Sequence, residues 1–353
     1  MAELRYGVIG TGFWSRYQIA AWREVGGARL AALCNRTVAK AEVLADELAR
    51  QGDKPAVYGD PEKMLQKEHL DFVDIVAGVD VHAPLVQLGA RYKVPVICQK
   101  PMAPDLATAE SMVRACRQAG IPFFVHENWR WQTPIRALKQ ALDEGHSVHG
   151  SIGRPYRARL DFITGFHSFQ NQPFLKTLRR FIIADMGSHL FDVARFLFGE
   201  ADSLYCQTRQ VHKDIAGEDV ATVLLGMGGV SVVCEMSTAE NYLERDPFPQ
   251  SPIFIEGEQG SLELAPDYWL RLTTEAGTFS HRVPPPRYAW ANPAYEVVHA
   301  SIVPCNANLL AALKGEGKAE TTGEDNLETM RLVFAAYDSA ESGEAVVLRG
   351  IRA

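Results

Sequence analysis

The apolar run at residues 5–9 breaks directly into Gly10-Thr11-Gly12-Phe13-Trp14-Ser15, which opens a helical segment reaching about residue 25. No other feature of the chain constrains its fold so tightly. The first glycine suits a sharp turn, the second lets backbone approach a ligand, and Ser15 stands where a small residue lets helix and strand pack closely. The helix start adds N–H groups and partial positive charge. The same alternation continues, with strands expected at 28–34, 72–77, 96–98 and 123–125 and helices at 38–50, 82–92 and 106–119. Unbroken apolar strands alternating with helices predict an α/β doubly wound parallel sheet covered on both faces. A glycine turn at the first strand–helix junction of such a domain predicts a dinucleotide site, with Gly10, Gly12, Phe13 and Trp14 around the pyrophosphate.

Where the second strand ends, an acidic residue would hold the ribose diol of NAD. This chain has Asn35-Arg36-Thr37. Asn35 can bond a ribose hydroxyl without repelling a 2′-phosphate, and Arg36 is either a partner for that phosphate or a solvated charge. NAD is the expected coenzyme, with NADP as the alternative.

The rhythm changes after about His126, which sets a dinucleotide-binding domain at 1–126 and a second domain at 127–353. Thr133-Pro134 reads as an N-cap followed by proline in the first turn, with Gly145 closing that helix. Tyr156, Ala158, Leu160 and Phe162 then alternate with Arg157, Arg159 and Asp161, which is a half-buried strand. Further strands are expected at 203–210, 219–226, 230–237, 252–256, 260–265, 268–274 and 278–283, with helices returning over 295–341. Short turns at Gly228-Gly229 and at residues 258–260 mark a large open, mostly antiparallel sheet.

Composition excludes several classes. The net charge is -7 and no basic stretch appears, so nucleic-acid binding is not expected. No charged leader or signal core precedes the first strand, and no uninterrupted apolar run of about 20 residues is seen, so no membrane partner is expected. Cys34, Cys98, Cys116, Cys206, Cys234 and Cys305 form no close pair, which argues against disulfides and structural zinc and for the cytoplasm.

Two places offer chemistry. Cys98-Gln99-Lys100-Pro101 ends a parallel strand, where ligands of open α/β sheets bind, and Lys100 would bring a cationic donor there. Asp185-Met186-Gly187-Ser188-His189 runs into an apolar helix, with Asp185 and His189 four apart and Asp192 three further. A carboxylate beside an imidazole suits a general base near neutrality. Two other readings stay open: a helix cap with a core histidine, or a metal set of Asp185, His189 and Asp192. Asp161 on the polar side of its strand and the Trp129 and Trp131 rings are sugar contacts or, respectively, a solvated face and domain-junction packing.

Taken together, the glycine turn, the Lys100-Pro101 strand end and the Asp185/His189 spacing resemble the glucose–fructose oxidoreductase/inositol dehydrogenase family. His82, Asn128-Trp129-Arg130, Ile255-Glu256-Gly257, Gly260-Ser261, Thr322-Gly323-Glu324-Asp325 and Ala336-Tyr337-Asp338-Ser339 extend the match. The resemblance implies a Rossmann domain and an α/β domain whose open sheet serves a homo-oligomer, dimer or tetramer. It implies Lys100 as catalytic lysine, His189 as proton acceptor with Asp185 assisting, His82 beside the coenzyme, and Asn128 and Tyr295 near the reacting end. Gln99 replaces the family's glutamate. The wording around Gln99–Pro104 and His126–Trp131 is similar to the D-apiose dehydrogenase subgroup, which implies sugar oxidation to a lactone and no metal. Two alternatives remain: NAD-dependent glycoside cleavage without net redox, and a dinucleotide-binding regulator without chemistry.

Overall fold

The computed structural model describes residues 3–143, 150–239 and 241–348. Contacts divide the chain into two units, Met1–Glu127 with Ile302–Met330, and Asn128–Ser301 with Arg331–Ala353. Residues 302–330 therefore join the first unit, where a single continuous second domain had been expected.

In the first unit β1 (Leu4–Ile9), α1 (Ser15–Val25), β2 (Ala28–Cys34), α2 (Val38–Ala49), β3 (Ala56–Tyr58), α3 (Pro61–Lys67) and β4 (Phe72–Ile75) form the first half. After α4 (His82–Tyr92) come β5 (Val96–Gln99), α5 (Leu106–Ala119) and β6 (Phe123–His126). All neighbours pair parallel in the order β3-β2-β1-β4-β5-β6. The order reverses between β1 and β4, and the crevice outside the strand ends at such a switch point is where ligands bind. Burial explains the strand sequences, since every residue of β4, β5 and β6 is covered. Helix ends follow local chemistry: Asp105 accepts the Thr108 N–H at 2.7 Å to start α5, and Gly120 at φ 68° closes it. Strand β3 and helix α3 were not expected from the sequence.

The second unit holds α6 (Thr133–Asp143), β7 (Pro155–Ile163), the short α7 (Ser168–Asn171), α8 (Ser188–Phe198) and β8 (Ser203–Arg209). Then follow β9 (Val220–Met227), β10 (Val230–Ser237), β11 (Ile253–Gly257), β12 (Gly260–Ala265), β13 (Trp269–Thr274) and β14 (Gly277–Arg282). Helices α9 (Glu296–Leu313) and α10 (Gly323–Ser342) each cross the unit boundary, and β15 (Val346–Val347) ends the described chain. Gly145, the expected helix stop after α6, lies outside the described residues. The sheet runs β14-β13-β12-β11-β7-β10-β9-β8-β15, antiparallel except for the parallel pair β7–β10. On β7, Ala158, Leu160 and Phe162 are buried while Arg157 and Arg159 are exposed, so one sheet face is covered and the other is open. The helix spanning Pro293–Leu313 is long and apolar enough by length and mean composition to cross a membrane, although Glu296, His299, Asn306 and Asn308 interrupt its apolar run. It buries His299, Ser301 and Asn306, which marks it as a core helix.

Candidate active site

The glycine turn has the properties a pyrophosphate cradle needs. At Gly10 φ is 104° and a Cβ would stand 2.1 Å from the Val76 carbonyl oxygen, so only glycine fits against the neighbouring strand end. At Gly12 a Cβ would meet nothing within 4 Å, which leaves open space over the backbone. Ser15 is fully buried, donates its Oγ to the Gly12 carbonyl at 2.7 Å, and begins α1 with no side chain capping the helix start. Open space beside an uncapped helix N-terminus fits an anion. Phe13 and Trp14 both pack edge-on to Tyr17 on the first turn of α1. From beneath, Asp74 of β4 accepts hydrogen bonds from Gln18 Nε2 at 2.9 Å and Trp22 Nε1 at 2.8 Å, two α1 residues one turn apart. Burial pushes the Asp74 carboxyl up to about 6, against the pull of those donors.

Asn35 Nδ2 donates to Thr11 Oγ1 at 2.7 Å, while its Oδ1 accepts the Thr37 N–H at 2.9 Å. The amide thus braces the second strand end against the glycine turn, and Arg36 beside it is exposed. His82 sits between the turn after β4 and the turn after β5. Its ring is only 1% exposed, with Nε2 3.0 Å from the Ala77 carbonyl and Nδ1 3.2 Å from those of Pro101 and Met102. Both ring nitrogens face backbone carbonyls, so His82 clamps the turn after β4 to the turn after β5. Burial lowers its proton affinity, against the three carbonyls that favour the charged ring. Lys100 is half-buried at the end of β5. Gln99 is buried, and its amide nitrogen has no partner among the described residues. Gly10, Gly12, Asn35 and Lys100 therefore share the carboxyl edge of one sheet.

In the second unit Asp185 lies in a π-helical turn, Ile183–Gly187, that runs into α8, not in the uniform helix expected from the spacing. Glu218 accepts the N–H groups of Phe181 and Ile183, at 3.2 Å each to Oε1. The Tyr337 hydroxyl donates to Glu218 Oε1 at 2.8 Å and accepts the Ala184 N–H at 3.1 Å. Burial and the adjacent carboxylate push the Tyr337 hydroxyl far up, so it remains a donor. These two side chains satisfy amides that a helix start otherwise leaves unpaired, and they set where Asp185 and His189 emerge. Neither was anticipated as a functional residue. Tyr337 at least sits in a motif already singled out, whereas nothing local to Glu218 marks it.

One face of α8 is gripped by the turn Trp129–Trp131. The Trp129 indole stacks on the His189 ring with centroids 4.5 Å apart and planes 9° from parallel. Arg130 pairs with the fully buried Asp192 through Nε at 2.8 Å and Nη2 at 2.5 Å. That bidentate pairing removes Asp192 from any metal set. Among the described residues no group of three or more His, Cys, Asp or Glu side chains could hold a metal. Trp129 is 3% exposed and meets Phe162 edge-on, so it offers no face for a sugar to stack on. Trp131 is likewise buried, with the Arg136 guanidinium 3.8 Å over its ring.

Beyond Trp129 an aromatic row continues through Phe162 and Phe248 to Tyr295, which packs edge-on to Phe248 at 5.5 Å and stacks on His299 at 5.6 Å. Phe166 lies flat on Phe248 at 4.0 Å. His299 is fully buried and its Nδ1 accepts the Asn292 N–H at 3.0 Å, while burial lowers its pKa to about 4. Asn128 donates its amide to the Val298 carbonyl at 3.0 Å and to Ser301 Oγ at 2.8 Å, anchoring the Trp129 turn to α9. Asn128, Trp129, His189 and Tyr295 thus belong to one connected cluster. Asp161 does not. It is next to Phe162 on β7, so it faces the open side of the sheet, where it pairs with Arg159 at 3.0 Å beside Glu235. Burial pushes its carboxyl up to about 6, with Glu235 adding to the shift and Arg159 opposing it.

A doubly wound domain with an open glycine turn at an uncapped helix start, followed by a mixed-sheet domain carrying a held imidazole, is the build of a dinucleotide-dependent oxidoreductase. The family model for an oxidoreductase family with an NAD-binding Rossmann fold matches residues 4–127, and the GFO/IDH/MocA C-terminal domain model matches residues 135–263. The chain belongs to this family, and its first domain is the family's NAD-binding Rossmann fold. It is 41% identical to a D-apiose dehydrogenase of Paraburkholderia graminis, covering 98% of this chain and 90% of that one. It is 39% identical to a D-apiose dehydrogenase of Rhizobium rhizogenes, covering 98% of each. The crystal structure of an oxidoreductase from Agrobacterium radiobacter in complex with NAD+, L-tartaric acid and magnesium superposes with a TM-score of 0.93 at 39% identity, covering 99% of this chain and 100% of that one.

Proposed function

We propose that the protein oxidises an aldose, D-apiose foremost, at the anomeric carbon to the corresponding lactone. The observation that carries the reading is the held imidazole: His189 is fixed by Trp129 and follows Asp185 on a braced turn. The choice of sugar rests on the two D-apiose dehydrogenase relatives. Gly10, Gly12 and the start of α1 would hold the NAD pyrophosphate, and Asn35 would meet the adenosine ribose. Bound NAD+ supplies the hydride acceptor. His189 takes the proton of the anomeric hydroxyl as the C–H bond breaks, Asp185 supports the charged ring, and the Lys100 ammonium holds the same oxygen while its charge changes. The balance is one sugar and NAD+ to one lactone, NADH and a proton.

Two further features belong to this reading. The open sheet face, with Leu224 exposed beside charged residues, fits a homo-oligomer contact. The six cysteines, all free and buried, fit a cytoplasmic setting. The deciding assay follows NADH absorbance with NAD or NADP and a panel of aldoses that includes apiose. Net reduction with a free sugar is expected, with turnover lowered at least about 100-fold in both Lys100→Ala and His189→Ala. Sugar release from a glycoside without NADH accumulation, or wild-type rates in both variants, would refute it.

A further inference from the structure

The contact between Trp129 and His189 has a chemical consequence beyond packing. An aromatic face carries negative electrostatic potential, so a ring cation lying flat on it is stabilised relative to the neutral ring. We propose that Trp129 is the positioning residue of His189: its indole fixes the plane of the imidazole and favours the protonated ring formed when His189 accepts a proton. The inference deepens the reading of His189 as the base and rests on it.

The geometry supports both parts. The rings are 4.5 Å apart and 9° from parallel, which is a full face contact and not a glancing one. His189 is 4% exposed and Trp129 is 3% exposed, so water screens the contact little. The stack cannot slide, because the next residue, Arg130, is locked by two hydrogen bonds to Asp192, three positions along α8 from His189. Asn128 on the other side is locked to α9 through Val298 and Ser301. Phe162 meets the indole edge-on and closes it from β7.

Charged groups stand around the ring on several elements. On the helix itself stand Asp185, one turn before, and Asp192, whose charge is neutralised by Arg130. From α6, Arg136 and Lys139 lie over the Phe196 ring, two turns along α8 from His189. At the braced turn, Glu218 is engaged by backbone and Tyr337, and Arg180 lies over the Tyr337 ring. From the sheet, β10 presents Met236 against Gly187, whereas Asp161, Arg159 and Glu235 belong to the opposite face.

The test uses the full chain with two variants. Trp129→Leu removes the aromatic face, and Trp129→Phe retains a smaller one. Histidine side chains are followed by nitrogen–proton NMR across pH, with the His189 signal identified by its loss in His189→Gln. The acidic limb of kcat/KM is measured in parallel. In Trp129→Leu the His189 titration is expected to move down by about half to one pH unit, a three- to tenfold loss of proton affinity, with the rate limb moving equally. Trp129→Phe should move both by less, and NAD affinity should be unchanged in either. An unmoved His189 titration in Trp129→Leu overturns the proposal, and Trp129→Phe decides it in the same way should the leucine variant fail to fold. If the NMR titration moves but the rate limb does not, the role of the stack stands and the assignment of His189 as base falls.

Discussion

Two helix starts in this molecule are built to opposite specifications. Helix α1 opens without a side-chain cap, beside a glycine over which the space is empty. The turn Ile183–Gly187 opens with the amides of Phe181, Ile183 and Ala184 taken up by Glu218 and Tyr337. A start without a cap can take an anion on its backbone. A start whose amides are consumed has none to offer, but it holds its side chains in fixed directions. In the proposed mechanism, backbone is the functional group in the first unit, and in the second it is the mount for Asp185 and His189.

The sharpest way to break that contrast is at the glycines. Gly12→Val should leave the fold intact, because its Cβ enters open space, yet raise the NAD dissociation constant by about 100-fold or more by filling the space proposed for the pyrophosphate. Gly10→Ala should instead unfold the domain or cost several kcal/mol, since its Cβ collides with the Val76 carbonyl. Coenzyme titration by NADH fluorescence and thermal melting separate the two effects. Wild-type NAD affinity in Gly12→Val would place the pyrophosphate elsewhere.

Buried ionisable groups distinguish the units in a second way. Asp74, under α1, titrates near 6 instead of 3.8 because of burial. A carboxyl raised in the fold favours folding below its unfolded pKa, and that contribution is lost as pH rises through 6. His299, in the second unit, is lowered to about 4 from 6.5. It favours folding above pH 6.5, and the contribution is lost as pH falls towards 4. Each window spans roughly two units, on the order of 3 kcal/mol. Asp74→Asn keeps the acceptor for Gln18 and Trp22, so its stability relative to wild type should improve between pH 4 and 7. His299→Asn keeps an acceptor for the Asn292 N–H, and its relative stability should improve as pH falls from 6.5 to 4. Parallel pH curves for a variant and the wild type would remove the corresponding group from the account.

What could be read from residues alone follows the same division. The central strands of the first unit are continuous apolar runs and the glycine turn is contiguous, so the fold and the place of the turn at its first strand–helix junction were legible together. Strand β3 was missed because three half-buried residues at a sheet edge carry no periodicity. The membership of residues 302–330 was missed because a helical pattern shows a buried face without saying which core buries it. In the second unit Asp185 and His189 stood out by spacing. The fate of Asp192 depended on Arg130, 62 positions away, and that of Trp129 on a ring 60 positions along the chain, which no local pattern encodes. Asp161 shows a subtler limit. Alternation along β7 correctly separated two faces, but only the placement of Phe162 against Trp129 says which of them belongs to the His189 cluster.

The smallest expected effect probes the brace itself. Tyr337→Phe removes one hydroxyl and nearly nothing else, leaving the Ala184 N–H without its acceptor and Glu218 with one donor fewer. Losing these contacts should cost about 1–2 kcal/mol of stability, and loosening the turn should lower kcat about tenfold. KM for the sugar and the affinity for NAD should stay near wild type, because the change touches neither the glycine turn nor Lys100. That split separates the two helix starts: damage at the first shows in coenzyme binding, and damage at the second shows in turnover. A Tyr337→Phe enzyme that lost NAD affinity instead would mean that the two starts do not work independently.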